Sequence, residues 1–181
     1  MLTINEETFL KELSEKNIRL EDIHKRLVEK LKTLHLKVAT AESCTGGLIS
    51  QKITALSGSS SVFDCGVCSY SNEIKTKVLG VDKHTLDTLG AVSAEVAMQM
   101  SYGVRKLSES DVAISTTGIA GPTGATADKP IGLVYVGVST LKKTFAVKCL
   151  FCETKHNDRE RVRELSACYA LYKLYSEISG D

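Results

Sequence analysis

Residues 34–50 read LHLKVATAESCTGGLIS. An apolar, β-branched run ends at Ala39, and small polar residues follow from Thr40 to Thr45. Gly46 and Gly47 then open an apolar pattern of helical period. This order predicts strand, tight turn, helix. In an open α/β sheet such a turn lies at the carboxyl end of a strand, where ligands bind. The glycine pair permits positive φ and close backbone approach. The free N–H groups of a new helix favour negative charge, whether bound or developing. A hydroxyl at this junction is either an N-cap or a nucleophile with its anion-stabilising donors built in.

Working outward, Ile23, Leu27, Val28 and Leu31 mark an amphipathic helix over about residues 20–33. Residues 1–20 read as a charged, helix-prone lead-in with a thin stripe of Leu10, Leu13 and Leu20. Downstream of the turn, Leu48, Ile49, Ile53 and Leu56 carry the next helix. SVFDCGVCS over 61–69 predicts a second strand, and NEIKTKVLG a short helix behind Ser71, ended by Gly80. A further short helix is expected over 83–89. Ser93 caps a long helix carrying Val96, Ala97, Met100, Val104 and Leu107. DVAIST over 111–116 predicts a third strand running into a glycine-rich loop over 117–124. Residues 131–141 and 144–151 form a hairpin, and a last helix covers about 158–176. Helices interleaved with strands predict a layered α/β fold, and the hairpin makes the sheet mixed. The expected organisation is the lead-in of residues 1–20 and one domain over 21–181.

The 181 residues carry 23 Lys and Arg against 22 Asp and Glu, for a net charge of +1. That balance gives no broad pull toward nucleic acid or a membrane surface. No apolar run approaches the roughly 20 residues of a membrane span. The amino-terminal stretch lacks the basic start and apolar core of a secretory signal, so a cytoplasmic location is expected. Cys65 and Cys68, and Cys149 and Cys152, have the C-x-x-C spacing of zinc sites. Both pairs lie in strand-like runs whose alternation points their members to opposite faces. Buried, reduced thiols and no metal are therefore expected.

Three loops combine small residues with functional groups: 42–47, 69–75 and 117–124. If the strands are mostly parallel, all three gather at one edge of the sheet. Ala41-Glu42-Ser43-Cys44-Thr45-Gly46-Gly47 and Tyr70-Ser71-Asn72-Glu73-Ile74-Lys75 together resemble the CinA C-terminal domain family. Gly90-Ala91-Val92-Ser93, Gly118-Ile119-Ala120-Gly121-Pro122 and Lys129-Pro130-Ile131-Gly132 follow in the family's order. The resemblance covers about residues 20–176. It implies a three-layer α/β/α sandwich on a mixed, mostly parallel five-stranded sheet. It also implies a nicotinamide-nucleotide amidase, which releases ammonia from nicotinamide mononucleotide and leaves nicotinate mononucleotide. Carried over by motif, Ser43 is the nucleophile and Lys75 its base, with no metal or cofactor, and Tyr70 assists the proton network or the substrate ring. The substrate phosphate would meet the loop of Thr117, Gly118 and Gly121, and Arg159. Asn157 stands where the family usually has glycine before the Asp-Arg pair, and Ala125 where it commonly has a second glycine. Arg161 and Arg163 read as solvent-facing. The expected partner is a small mononucleotide, with no nucleic acid or membrane, in a homo-oligomer of two or more copies.

Elementary chemistry gives the same roles a separate basis. A serine hydroxyl attacks a primary amide only once a base takes its proton. His24, His35, His84 and His156 all lie outside the three loops. A lysine serves if its pKa falls from about 10.4 to roughly 7–8, which burial and helix N-termini favour. The N–H groups of Thr45, Gly46 or Gly47 would face the oxyanion, each such donor being worth about 3 kcal/mol of barrier. Rival readings stand beside these. Lys75 can be a solvated helix residue, Tyr70 a core aromatic, Cys44 the nucleophile and Glu42 a cap. The whole chain can be a binding module without turnover, or an amidase for another small amide.

Overall fold

The computed structural model describes residues 3–151 and 159–180. Its strands are β1 (Thr3–Asn5), β2 (Val38–Glu42), β3 (Phe63–Cys68), β4 (Val112–Gly118), β5 (Leu133–Ser139) and β6 (Thr144–Leu150). Its α-helices are α1 (Glu6–Glu15), α2 (Ile23–Leu34), α3 (Leu48–Thr54), α4 (Asn72–Leu79), α5 (Lys83–Leu89), α6 (Ala94–Ser108) and α7 (Arg159–Ser179). The strands form one sheet in the order β1-β6-β5-β4-β2-β3. β5 runs antiparallel to both of its neighbours, and the other three pairs are parallel. The layered, mixed α/β fold is as expected, with six strands among the described residues rather than five.

The sixth strand comes from the lead-in. Thr3–Asn5 pairs with Lys148–Leu150, and Asn5 then caps α1 through the Thr8 N–H. The stripe that α1 buries is Phe9 and Leu13, whereas Leu10 is exposed. Phe9 meets Tyr169 edge-on, with ring centroids 5.0 Å apart, and packs on Phe151 and Tyr172. These contacts explain α7. Every residue from Leu165 to Tyr172 is buried, so this middle stretch of the helix is enclosed on all sides. The sheet, α2, α3 and α1 together cover it.

The two faces of the sheet have different side chains. Val38, Ile114, Val134 and Val138 join α2, α3 and α7 in one core. Ala39, Ala41 and Ala113 face α4, α5 and α6 in a second, smaller one. Small residues there let α6 lie close. A Cβ on Gly137 would stand 2.3 Å from the Ala97 carbonyl oxygen. The same carbonyl accepts the Ser115 hydroxyl at 2.6 Å.

β2 lies between β3 and β4, all three parallel. The chain leaves β2 for a neighbour on one side and reaches β4 on the other. The carboxyl ends of these strands therefore frame a point where the strand order reverses, the place where open α/β sheets bind ligands.

The cysteine expectation needs correction. Cys44, Cys149 and Cys168 are buried, but β3 is an edge strand and leaves Cys65 half-buried and Cys68 exposed. Cys152 and Asn157 lie outside the described residues. Among the described residues no cluster of His, Cys, Asp and Glu has metal-binding geometry, and no helix is long and apolar enough to cross a membrane.

Candidate active site

The three loops meet where the strand order reverses. Ser43 follows β2, Tyr70 follows β3 by two residues, and Thr117 and Gly118 end β4. Together they line a cleft of about 210 Å³ that also contains Lys75 and Arg159.

The Ser43 turn is fixed from beneath. Glu42, the last residue of β2, is fully buried. Its carboxylate accepts the N–H groups of Gly47, Ile49 and Ser50 and the Ser50 hydroxyl, at 2.7–3.1 Å. It caps α3 from before the turn, which leaves Ser43 and Cys44 to line the cleft while Thr45 is buried behind them. Gly46 and Gly47 have φ of +59° and +96°, which is why the sequence needs glycine at both. The Ser43 N–H bonds the Thr116 carbonyl at 3.0 Å, and the Thr45 hydroxyl bonds that of Thr116 at 2.7 Å.

Lys75 lies on the first turns of α4, which Ser71 caps through the Ile74 N–H. Only 1% of it is exposed, so the solvated-helix reading belongs to its neighbour Lys77. Its Nζ stands 3.1 Å from Ser43 Oγ and donates to the Ser69 carbonyl at 2.7 Å. Burial pushes the Lys75 pKa below the ordinary lysine value. Among the described residues no carboxylate pairs with it to reverse that. A neutral amine here donates one N–H to Ser69 and offers its lone pair to the Ser43 O–H.

Cys44 is the weaker nucleophile of the adjacent pair. It is 6% exposed, and burial pushes its thiol up to about 12. At neutral pH it is a thiol, not a thiolate.

Of the candidate anion-stabilising donors, two are engaged. The Gly47 N–H is held by Glu42, and that of Gly46 reaches back to the Ser43 carbonyl at 3.2 Å. The Thr45 N–H has no acceptor among the described residues.

The far wall is Thr117, Gly118 and the segment before α6. The Thr117 hydroxyl is taken up by the Ala91 carbonyl at 2.7 Å, which sets Ala91 and Val92 against the cleft. Tyr70 is 68% exposed, so it is a rim residue and not a core aromatic. Its hydroxyl accepts Arg159 Nη2 at 3.1 Å, and Arg159 Nη1 donates to the Gly121 carbonyl at 2.7 Å. Arg159 thus bridges the second and third loops.

Some residues of the site escaped sequence reasoning. Asn72, Ala91, Val92 and Ala120 line the cleft. Asn72 sat inside a recognised motif, but nothing in its spacing marked it as facing inward. Arg163 read as solvent-facing, yet it is half-buried and donates to the Thr45 carbonyl at 2.7 Å. Arg161 pairs with Glu6 of α1.

Comparison with known proteins gives this arrangement a lineage. A CinA-like protein of Kosmotoga olearia is 47% identical over 151 residues, covering 83% of this chain and 36% of the relative. The chain spans little more than a third of the length of the curated relatives it matches. The crystal structure of competence/damage inducible protein CihA from Agrobacterium tumefaciens is 38% identical, with a TM-score of 0.81 over 86% of this chain and 93% of that one. A CinA superfamily protein from Klebsiella pneumoniae is 28% identical, with a TM-score of 0.84 over 90% and 99% of the two chains. A family profile described as CinA C-terminal domain matches residues 20–178. The chain belongs to the CinA C-terminal domain family.

Proposed function

We propose that this chain hydrolyses the carboxamide of nicotinamide mononucleotide, with Ser43 as nucleophile and Lys75 as general base. The observation that carries the reading is the 3.1 Å approach of a buried Lys75 to the Ser43 hydroxyl. Lys75 takes the hydroxyl proton as Ser43 Oγ attacks the amide carbon. The Thr45 N–H is the donor left to meet the oxyanion. Collapse breaks the C–N bond, and the lysine ammonium hands its proton to the leaving nitrogen, which departs as ammonia. A water molecule, deprotonated by the same amine, then cleaves the acyl-Ser43 ester and releases the nicotinate product.

The size and polarity of the cleft support this substrate. At about 210 Å³ it is smaller than the roughly 300–1,000 Å³ that encloses a drug-sized ligand. It suits the ring that carries the amide and leaves ribose and phosphate at the rim. Arg159 lies on that rim, as a phosphate requires.

The test is ammonia release from nicotinamide mononucleotide in the presence of a metal chelator, for the wild type and Ser43→Ala. Turnover that the substitution abolishes while the fold persists supports the reading. Full turnover in Ser43→Ala contradicts it. Tight binding of the nucleotide without ammonia release makes the chain a binding module instead.

A further inference from the structure

We propose that Arg163 is a positioning residue for the nucleophile turn, and that the first turns of α7 clasp the three loops of the site. The inference rests on the Ser43–Lys75 reading and adds to it a group outside the cleft. Arg159 and Arg163 are four residues apart, so they share one side of α7. Arg159 reaches Tyr70 in the second loop and Gly121 in the third. Arg163 reaches Thr45 in the first. One helix end therefore touches all three loops.

The first loop is the one that needs holding. It carries the nucleophile and has two consecutive glycines at positive φ. Glu42 fixes the backbone from Gly47 onward, and Thr116 fixes it at Ser43. Between them, the Thr45 hydroxyl bonds that of Thr116 at 2.7 Å, the Gly46 N–H reaches the Ser43 carbonyl at 3.2 Å and the Leu48 N–H the Thr45 carbonyl at 3.3 Å, the last two being long. The Thr45 carbonyl, on the same peptide plane, receives the charge-assisted 2.7 Å bond from Arg163. Rotation of that plane would change ψ of Thr45 and φ of Gly46 and so loosen the turn that carries Ser43 and the Thr45 N–H. The guanidinium opposes the rotation and contributes no proton. α7 is itself held in place, because Arg161 pairs with Glu6 and Tyr169 packs on Phe9.

The experiment compares Arg163→Met and Arg163→Lys with the wild type in the full chain. Amide hydrogen exchange over residues 43–50 reads the order of the turn, and ammonia release from nicotinamide mononucleotide gives kcat and KM. In Arg163→Met, exchange quickens about tenfold and kcat falls about 10- to 100-fold, the scale of a misplaced donor. KM stays within about threefold, and the pH at which activity rises is unchanged because the base is intact. Arg163→Lys restores part of both losses, since an ammonium can still donate one bond to the carbonyl. Wild-type exchange and wild-type kcat in Arg163→Met overturn the proposal. If the methionine variant fails to fold, the lysine variant decides: a wild-type melting temperature with faster exchange upholds the role, and wild-type exchange overturns it. If the wild type releases no ammonia while Arg163→Met exchanges faster, the positioning role stands and the amidase reading falls.

Discussion

Lys75 Nζ lies 3.1 Å from Ser43 Oγ, with 1% of the lysine exposed. That geometry ties stability and activity to one proton. Burial lowers the native pKa from the ordinary value of 10.5. Between the two values the unfolded chain binds more protons at this site than the folded one, so stability rises with pH across that window. On the proposed mechanism, activity is expected to rise with pH through the same native pKa, because only the neutral amine accepts the serine proton. Lys75→Met removes the base and the buried amine together. We expect kcat to fall by about 10²–10⁴-fold, with a melting temperature equal to or above wild type and a flatter stability–pH curve. Rate profiles and thermal melts across alkaline pH check both halves.

Glu42 accepts four bonds from the start of α3, and an amide cannot replace it. In Glu42→Gln the amide nitrogen faces N–H donors and leaves at least one of them unsatisfied. The expected loss is about 2–3 kcal/mol of stability, read by urea unfolding. Turnover falls with it, since the same bonds set the height of the Ser43 turn.

Phe9 ties residues ahead of the family-matched region into the main core. It is fully buried against Tyr169, Tyr172 and Phe151. Phe9→Ala should cost about 3–5 kcal/mol in one cooperative urea transition. A separate early transition for residues 3–15, with the rest unperturbed, would count against shared packing.

The thiols should divide by exposure. Cys68 is exposed and Cys44 is buried, with its thiol pushed up to about 12. Iodoacetamide on the native protein should label Cys68 and spare Cys44. Cys44→Ala should keep turnover within about threefold of wild type, since a small buried apolar residue replaces a small buried thiol. Mass spectrometry of labelled peptides and an ammonia assay check these outcomes.

Local chemistry made much of this legible. The Ser43 turn, the Ser71 and Ser93 caps and the parallel strands follow from period, cap residues and glycine placement. What stayed hidden depends on contacts distant in sequence. β1 has three residues, too few for an alternating pattern, and exists because β6 pairs with it. Arg163 looked like any helix arginine, because its acceptor is a carbonyl 118 residues away. Cys68 read as buried because alternation says which face a residue occupies and not whether its strand is at an edge.

The central claim is that the acyl group passes through Ser43. The direct measurement is mass spectrometry of the enzyme acid-quenched during turnover of nicotinamide mononucleotide. The account predicts an acyl adduct carrying the nicotinate group on the peptide that contains Ser43, absent in Ser43→Ala. An adduct on Cys44, or steady ammonia release by Ser43→Ala, would contradict it.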